Sequence, residues 1–331
     1  MRKEQTLLLS GSEISELLNI DDCISAVEQA FKLYAEGKTA PPGILGVHAR
    51  DGGFHIKAGM MNFGAKNYFA AKVNANFPRN RKFGLPTIQG VIVLCDGDDG
   101  RLLALLDSIQ ITIIRTGAAT AVAAKYLARE NSKTATICGC GNQGRISLRA
   151  LMKVRPLEKA FAYDIDRQQS EQFAVEMSDE LGIEINAVED LAKATLQSDI
   201  CVTCTPSLKP ILYHENIKPG TFIAAVGADS EDKQELDSLL LKESKIVVDV
   251  LEQAAAIGEL HHAIKQGVIS RTGICAELGE IITGRKTGRI DDDEIIIFDS
   301  TGMALQDVVA AVIVYENAVK EEKGKSLNLG K

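Results

Sequence analysis

Thr134-Ala135-Thr136-Ile137-Cys138-Gly139-Cys140-Gly141-Asn142-Gln143-Gly144 is the stretch on which the fold turns. Its first five residues form a short apolar run of strand length, and helical spacing resumes behind the glycines to about Val154. The spacing G-x-G-x-x-G is a weak signal by itself. Directly after a strand and at the head of a helix, it reads as a dinucleotide-binding turn. Gly139 would make the tight turn, Gly141 would let the backbone approach a pyrophosphate, and Gly144 would allow helix and strand to pack closely. The helix N-terminus behind them offers free N–H groups and a favourable dipole to a diphosphate. Asp164 ends the next strand, residues 159–163, where an acidic side chain accepts the ribose 2′-hydroxyl. A carboxylate there repels a 2′-phosphate, so NAD is the expected cofactor. Arg167 softens that preference and leaves NADP as the alternative. The blander reading of the same residues is a βα turn with a surface aspartate and no ligand.

Outward from this turn, strand and helix alternate through residues 200–205, 221–226 and 245–250, which implies βαβ crossovers and a parallel sheet. The expected fold class is therefore α/β, with a Rossmann domain over residues 131–301. Upstream the period differs. Residues 44–50, 54–58, 68–74, 87–95 and 102–106 read as strands, with Asp96-Gly97-Asp98-Asp99-Gly100 as a hairpin signal. They are preceded by a helix over 21–36 and the breaker Pro41-Pro42-Gly43, and followed by a helix over 109–128 rich in small residues. After a last strand at 294–298, a long helix covers 304–320, and a charged tail from 320 to 331 is expected to fray. The β-rich first third is thus distinct from the βα alternation after residue 130.

The bulk composition narrows the function classes. The 331 residues are 45% hydrophobic and 25% charged, with a net charge of −8, so an ordinary globular protein is expected and nucleic acid is not a natural partner. No run approaches the length of a membrane span, and the short Leu7-Leu8-Leu9 segment is no signal peptide, so the expected location is the cytoplasm. An odd count of 7 cysteines argues against a disulfide framework. Cys201-Val202-Thr203-Cys204 has metal-pair spacing but lies in a strand-like run without a second pair, and no metal is expected. His48, His214, His261 and His262 show no ligand or nucleophile spacing either.

Several segments together resemble the ornithine cyclodeaminase/mu-crystallin family. They are Phe69-Ala70-Ala71-Lys72-Val73-Asn74, Gly84-Leu85-Pro86-Thr87, Ile114-Arg115-Thr116-Gly117-Ala118-Ala119, the loop from Gly139 to Gly144, Val226-Gly227-Ala228-Asp229 and Phe298-Asp299-Ser300-Thr301-Gly302-Met303-Ala304. The resemblance spans nearly the whole chain and includes archaeal-type alanine dehydrogenases and cyclic ketimine reductases. It implies a homodimer, in which the N-terminal segment and last helix, residues 1–130 with 302–331, build a substrate-binding and dimerisation domain of α+β type. It also implies that Lys72 and Arg115 contact a substrate carboxylate, and that Asp229 handles the proton on the substrate nitrogen. Thr87, Asn142, Gln143 and Thr301 match positions near the dinucleotide.

Hydride chemistry at the α-carbon of an amino or imino acid makes demands that these residue types meet. A cationic grip on the carboxylate suits the guanidinium fork, and the nitrogen needs an acid/base group. Lys72 could alternatively polarise the imine or be a plain solvated strand lysine, and Asp229 could cap a helix starting near Lys233. The sequence departs from the family where specificity is set. Gly43 stands where a basic residue usually follows the proline pair, and Lys57 or His55, on one face of a strand, would replace the lost charge. The expected function is NAD(P)-dependent reduction of an α-imino acid to an L-amino acid. The substrate would be a cyclic imine such as Δ1-pyrroline-2-carboxylate, or pyruvate plus ammonia. The alternatives are redox-neutral cyclodeamination of L-ornithine to L-proline, a siderophore-precursor dehydrogenase, and a non-catalytic NAD(P)H-dependent binding protein.

Overall fold

The computed structural model describes residues 5–329, and the chain forms two compact units, Met1–Arg115 with Met303–Lys331, and Thr116–Gly302. In the first unit, β1 (Thr6–Leu9), α1 (Gly11–Leu17) and α2 (Ile20–Ala35) precede β2 (Gly43–Ala49), β3 (Gly52–Phe63), β4 (Lys66–Asn76), β5 (Ile88–Asp96) and β6 (Leu102–Asp107). Helix α3 (Ser108–Leu127) carries the chain across the unit boundary. The second unit runs through β7 (Thr134–Cys138), α4 (Asn142–Leu151), β8 (Lys159–Tyr163), α5 (Arg167–Leu181), β9 (Glu184–Ala187), α6 (Leu191–Thr195) and β10 (Ile200–Thr203). It continues with β11 (Leu208–Leu212), β12 (Phe222–Ala225), β13 (Gln234–Leu236), α7 (Ser238–Lys242), β14 (Lys245–Val248), α8 (Leu251–Ile257) and α9 (Glu259–Lys265). Its last elements are β15 (Ala276–Glu277), α10 (Leu278–Ile282) and β16 (Ile296–Asp299). The chain then returns to the first unit as α11 (Ala304–Glu321) and β17 (Lys325–Leu327).

The first unit is built on a seven-stranded sheet of order β17-β1-β6-β5-β4-β3-β2, antiparallel apart from the β1–β6 pair. Alternation along the strands gives it two unlike faces. Helix α11 covers the face that carries Gly59, Tyr68 and Lys72. A Cβ on Gly59 would lie 2.8 Å from the Leu305 side chain, and the Tyr68 hydroxyl donates to Glu316 at 2.9 Å. Helix α2 in turn packs on α11 through a face that buries Val27, Ala30 and Phe31. The opposite sheet face presents Leu8, Leu45, Val47, Phe54, Met60 and Val91, all exposed within one chain.

The tail expected to fray is ordered over residues 325–327. Glu322 and Gly324 take left-handed conformations that end α11 and turn the chain, and β17 then pairs antiparallel with β1. Without it, β1 would leave a sheet edge of unpaired N–H and C=O groups.

In the second unit all eight strands of the main sheet are parallel, in the order β9-β8-β7-β10-β12-β16-β14-β15. The chain leaves β7 toward β8 and later resumes on its other side at β10, so the switch point of this Rossmann sheet lies between β7 and β10. The second half of α3 belongs to this unit, which puts the division inside α3 and upstream of the 130/131 boundary expected from the sequence. Its small residues explain this: a Cβ on Gly117 would lie 2.7 Å from Ile146, and Arg155 donates to the carbonyls of Ala124, Lys125 and Ala128. Among the described residues, no helix is long and apolar enough to cross a membrane.

Candidate active site

At the switch point the glycines behave as their spacing requires. Gly139 has φ +102°, and a Cβ there would sit 2.9 Å from the Cys204 carbonyl oxygen. A Cβ on Gly144 would lie 2.2 Å from the Gly139 oxygen, so only glycine lets α4 start this close to β7. Gly141 is the N-cap of α4 with no side-chain cap, and the nearest atom to a Cβ there would be Gln169 Nε2 at 3.8 Å. The first turn of α4 therefore carries open backbone N–H groups beside free space, a cradle that fits a pyrophosphate. Asn142 is exposed at its head, and the buried Gln143 Oε1 makes no hydrogen bond within the chain.

Asp164 follows β8 and is fastened to this loop. Its Oδ2 accepts the Cys140 N–H at 2.8 Å, and Oδ1 accepts the Asp166 N–H at 3.0 Å. Carboxylate oxygens have capacity for further donors, so this tether orients the group without using it up. Arg167 is engaged by Glu171 at 2.8 Å and by Glu189. Cys138 and Cys201 are wholly buried, burial pushes the Cys201 thiol up to about 12, and Cys204 Sγ donates to the carbonyls of Cys138 and Gly139. These thiols pack the turn.

Four of the other charged or titratable residues expected in the site, Lys72, Arg115, Lys57 and His55, lie in the first unit. Lys72 is 4% exposed on β4, and its Nζ meets Asp307 at 2.8 Å (Oδ1) and 2.7 Å (Oδ2). Arg115 on α3 reaches the same carboxylate, Nε to Oδ1 at 3.0 Å, while its other arm donates to Gln306 Oε1 at 3.0 Å. Burial lowers the Lys72 ammonium, Asp307 opposes that and Arg115 and Lys57 add to it, leaving a pKa of about 7. Burial would raise Asp307, but the charges of Lys72 and Arg115 bring it below the ordinary carboxylate value. The solvated-lysine reading of Lys72 is thus overturned: the strand face that carries it is the one α11 covers.

Lys57 stands directly across from Lys72 in the β3–β4 register, and His55 lies across from Asn74, so both share the Lys72 face as alternation required. Thr87 also belongs to this unit, and its Oγ1 is buried without a hydrogen-bond partner in the chain. In the second unit, Asp229 sits on the half-exposed loop after β12, with Oδ1 2.6 Å from Lys233 Nζ. The helix cap weighed for it is excluded, because the chain beyond Lys233 forms β13, paired to β11. Thr301 is buried, and its hydroxyl donates to Asp249 at 3.0 Å.

Two residues that the sequence reading missed belong to the first cluster, Asp307 and Gln306. The signal was present: an acid inside the apolar run from Ala304 to Val312 has no stable place in a buried helix unless a cation meets it.

A Rossmann unit with an open cradle, joined to a sheet-and-helix unit with two buried cations, defines a two-domain dinucleotide-binding protein. The chain matches the profile of the ornithine cyclodeaminase/mu-crystallin family over residues 4–322 and belongs to that family. It is 40% identical over 324 residues to the alanine dehydrogenase of Archaeoglobus fulgidus, covering 98% of each chain. The solved structure of an archaeal alanine dehydrogenase dimer with bound NAD superposes with a TM-score of 0.93 at 40% identity, covering 98% of this chain and 99% of that one. The Thermococcus litoralis Δ1-pyrroline-2-carboxylate reductase in complex with NADH and L-proline gives a TM-score of 0.92 at 39% identity, covering 97% of this chain and 100% of that one.

Proposed function

We propose that this chain is an NADH-dependent oxidoreductase that reduces an α-imino acid to an L-amino acid. The substrate is a cyclic imine such as Δ1-pyrroline-2-carboxylate, or the imine of pyruvate and ammonia. The observation that carries the reading is the sharing of one buried carboxylate, Asp307, by two buried cations, Lys72 and Arg115. A site with more cation than anion, closed off from water, is costly to build and suits a small anionic substrate. The similar proteins named alanine dehydrogenase and Δ1-pyrroline-2-carboxylate reductase support the same class of substrate.

NADH supplies the hydride that goes to the α-carbon. The loop residues Gly139, Gly141, Asn142, Gln143 and Gly144 hold its pyrophosphate on the α4 N-terminus, Asp164 takes the ribose hydroxyls, and Thr87 and Thr301 complete the dinucleotide contacts. Arg115 grips the substrate carboxylate, and Lys72, poised near neutrality, contributes a second cation or a proton. Asp229 delivers the proton that the imino nitrogen needs as the carbon takes up hydride. Lys57 and His55 set the charge around the substrate side chain. NAD is preferred over NADP because Asp164 opposes a 2′-phosphate and Arg167 is engaged by Glu171 and Glu189.

The working form is a homodimer closed over the open sheet face. Leu45, Val47, Phe54, Met60 and Val91 form an apolar surface of the kind a second copy covers, and the similar archaeal alanine dehydrogenase is described as a dimer. The test of function is a screen of NADH and NADPH oxidation against pyruvate, glyoxylate and five- and six-membered cyclic imines, with and without ammonia. Stoichiometric NADH loss with one of them is expected. Ammonia release from L-ornithine with no net NADH change would make the chain a cyclodeaminase instead, and no turnover at all would make it a binding protein.

A further inference from the structure

The loop between β12 and β13 carries Asp229, and one side chain ties its start to the neighbouring strand. Glu235, on β13, is 0% exposed. Its Oε1 accepts the Thr205 N–H at 2.6 Å and the Thr205 hydroxyl at 2.7 Å, and its Oε2 accepts the Gly227 N–H at 3.1 Å. Thr205 follows β10 and Gly227 follows β12, so a single carboxylate joins the loops that leave two adjacent strands at the carboxyl end of the sheet. Gly227 is itself fitted to this contact, because a Cβ there would lie 2.3 Å from Glu235 Oε2.

Glu235 is fixed in turn. Glu259 accepts the backbone N–H groups of Glu235 and Leu236 at 2.8 and 2.9 Å, and Asp299 accepts that of Leu260 at 2.9 Å. The far end of the loop is held as well, by Asp229 on Lys233 and by the Lys233 carbonyl oxygen against His262 Nε2 at 2.8 Å.

We propose that Glu235 is a positioning residue for Asp229: by fastening Gly227 to Thr205 it sets where the Asp229 carboxylate is presented, without touching substrate or cofactor. The inference rests on the reading of Asp229 as the proton donor. Only an acceptor-only group suits the place, since three donors converge on it. Glutamine would turn its own N–H2 toward at least one of them, most damagingly Gly227, which has no other acceptor in that contact.

The test is E235Q in the full-length protein, with G227A disturbing the same contact from the other side and D229N run in parallel. For E235Q, NADH affinity should stay within about twofold of wild type while kcat falls ~10- to 100-fold at little changed KM, the scale of a misplaced catalytic group. Hydrogen exchange of the amides at 227–229 should quicken while that of β12 does not. G227A should give the same split between kcat and NADH affinity, and it decides the matter if E235Q does not fold. A kcat near wild type in both variants overturns the proposal, as does a parallel loss of NADH binding and kcat, which would make Glu235 a general structural residue. If D229N keeps the wild-type rate, the reading of Asp229 fails by itself, whatever Glu235 does.

Discussion

The two units bury charge in opposite ways. In the first, two cations meet on a side-chain carboxylate: Lys72 and Arg115 on Asp307. In the second, four buried carboxylates rest chiefly on backbone N–H groups: Glu235 on Thr205 and Gly227, Glu259 on Glu235 and Leu236, Asp299 on Leu260, and Asp249 on Val250 and Gly302. A backbone amide cannot leave, so the second arrangement fixes loops. A side-chain ion pair can exchange partners, so the first is suited to an incoming carboxylate. On the proposed function, charge held by charge marks the substrate site, and charge held by main chain marks architecture.

The sharpest way to break this contrast is D307N. It strips both buried cations of their counter-charge, and removing one partner of a buried pair costs about 3–5 kcal/mol. A thermal melt should show a large fall, while the Rossmann unit's NADH affinity should change little in whatever folded protein remains. A melt like wild type would mean that Lys72 and Arg115 are not held as described.

A more modest effect is expected from G141A. The methyl group finds open space, so stability should be kept, but it intrudes on the cradle at the α4 N-terminus. NADH binding, followed by fluorescence titration, should weaken on the order of 10-fold, the value of a hydrogen bond to a charged group. Unchanged affinity would place the pyrophosphate elsewhere.

A smaller effect is a displaced pH limb. Burial brings Lys72 down to about 7, and the proposed cationic grip needs it protonated, so kcat/KM should fall as pH rises through that value. The Lys57 charge helps to depress Lys72, so K57M should move the limb to higher pH. A limb that stays put would separate Lys57 from the cluster.

A further pH effect belongs to Asp299, where burial, with the Asp249 charge adding to it, raises the carboxyl from 3.8 to about 7. The folded state then binds the extra proton between those values. Its contribution to stability is full below the unfolded pKa and lost as pH rises through about 7. D299N should flatten the decline in stability across this window with little change at its acid end. Denaturant melts at a series of pH values check it, and an unaltered slope would assign the decline to other groups.

Legibility in the sequence followed the same divide. The turn from Gly139 to Gly144, with Asp164 behind it, was readable because glycine spacing and strand-to-helix order are local. The face shared by His55 and Lys57 was readable from alternation alone. Asp307 was not found because its partners lie on β4 and α3, far away in sequence, and only the packing of α11 on the sheet brings them together. The β17 tail was misread because its order comes from a vacant edge of β1, which no property of residues 325–327 announces. Glu235 looks like a surface acid in the mostly polar stretch from Ser230 to Asp237, and its burial is a product of the crossover loops.

The measurement that bears most directly on the central claim is a single-turnover trace of NADH consumption by wild type and K72M, with the imine that the screen identifies. Wild type should consume NADH in step with enzyme concentration. K72M should bind NADH within about twofold of wild type but transfer hydride ~10⁴-fold more slowly, at the upper end of what one acid/base or charge-gripping group contributes. Equal rates in the two proteins would contradict the account and leave the Lys72–Asp307–Arg115 cluster as a purely structural ion network.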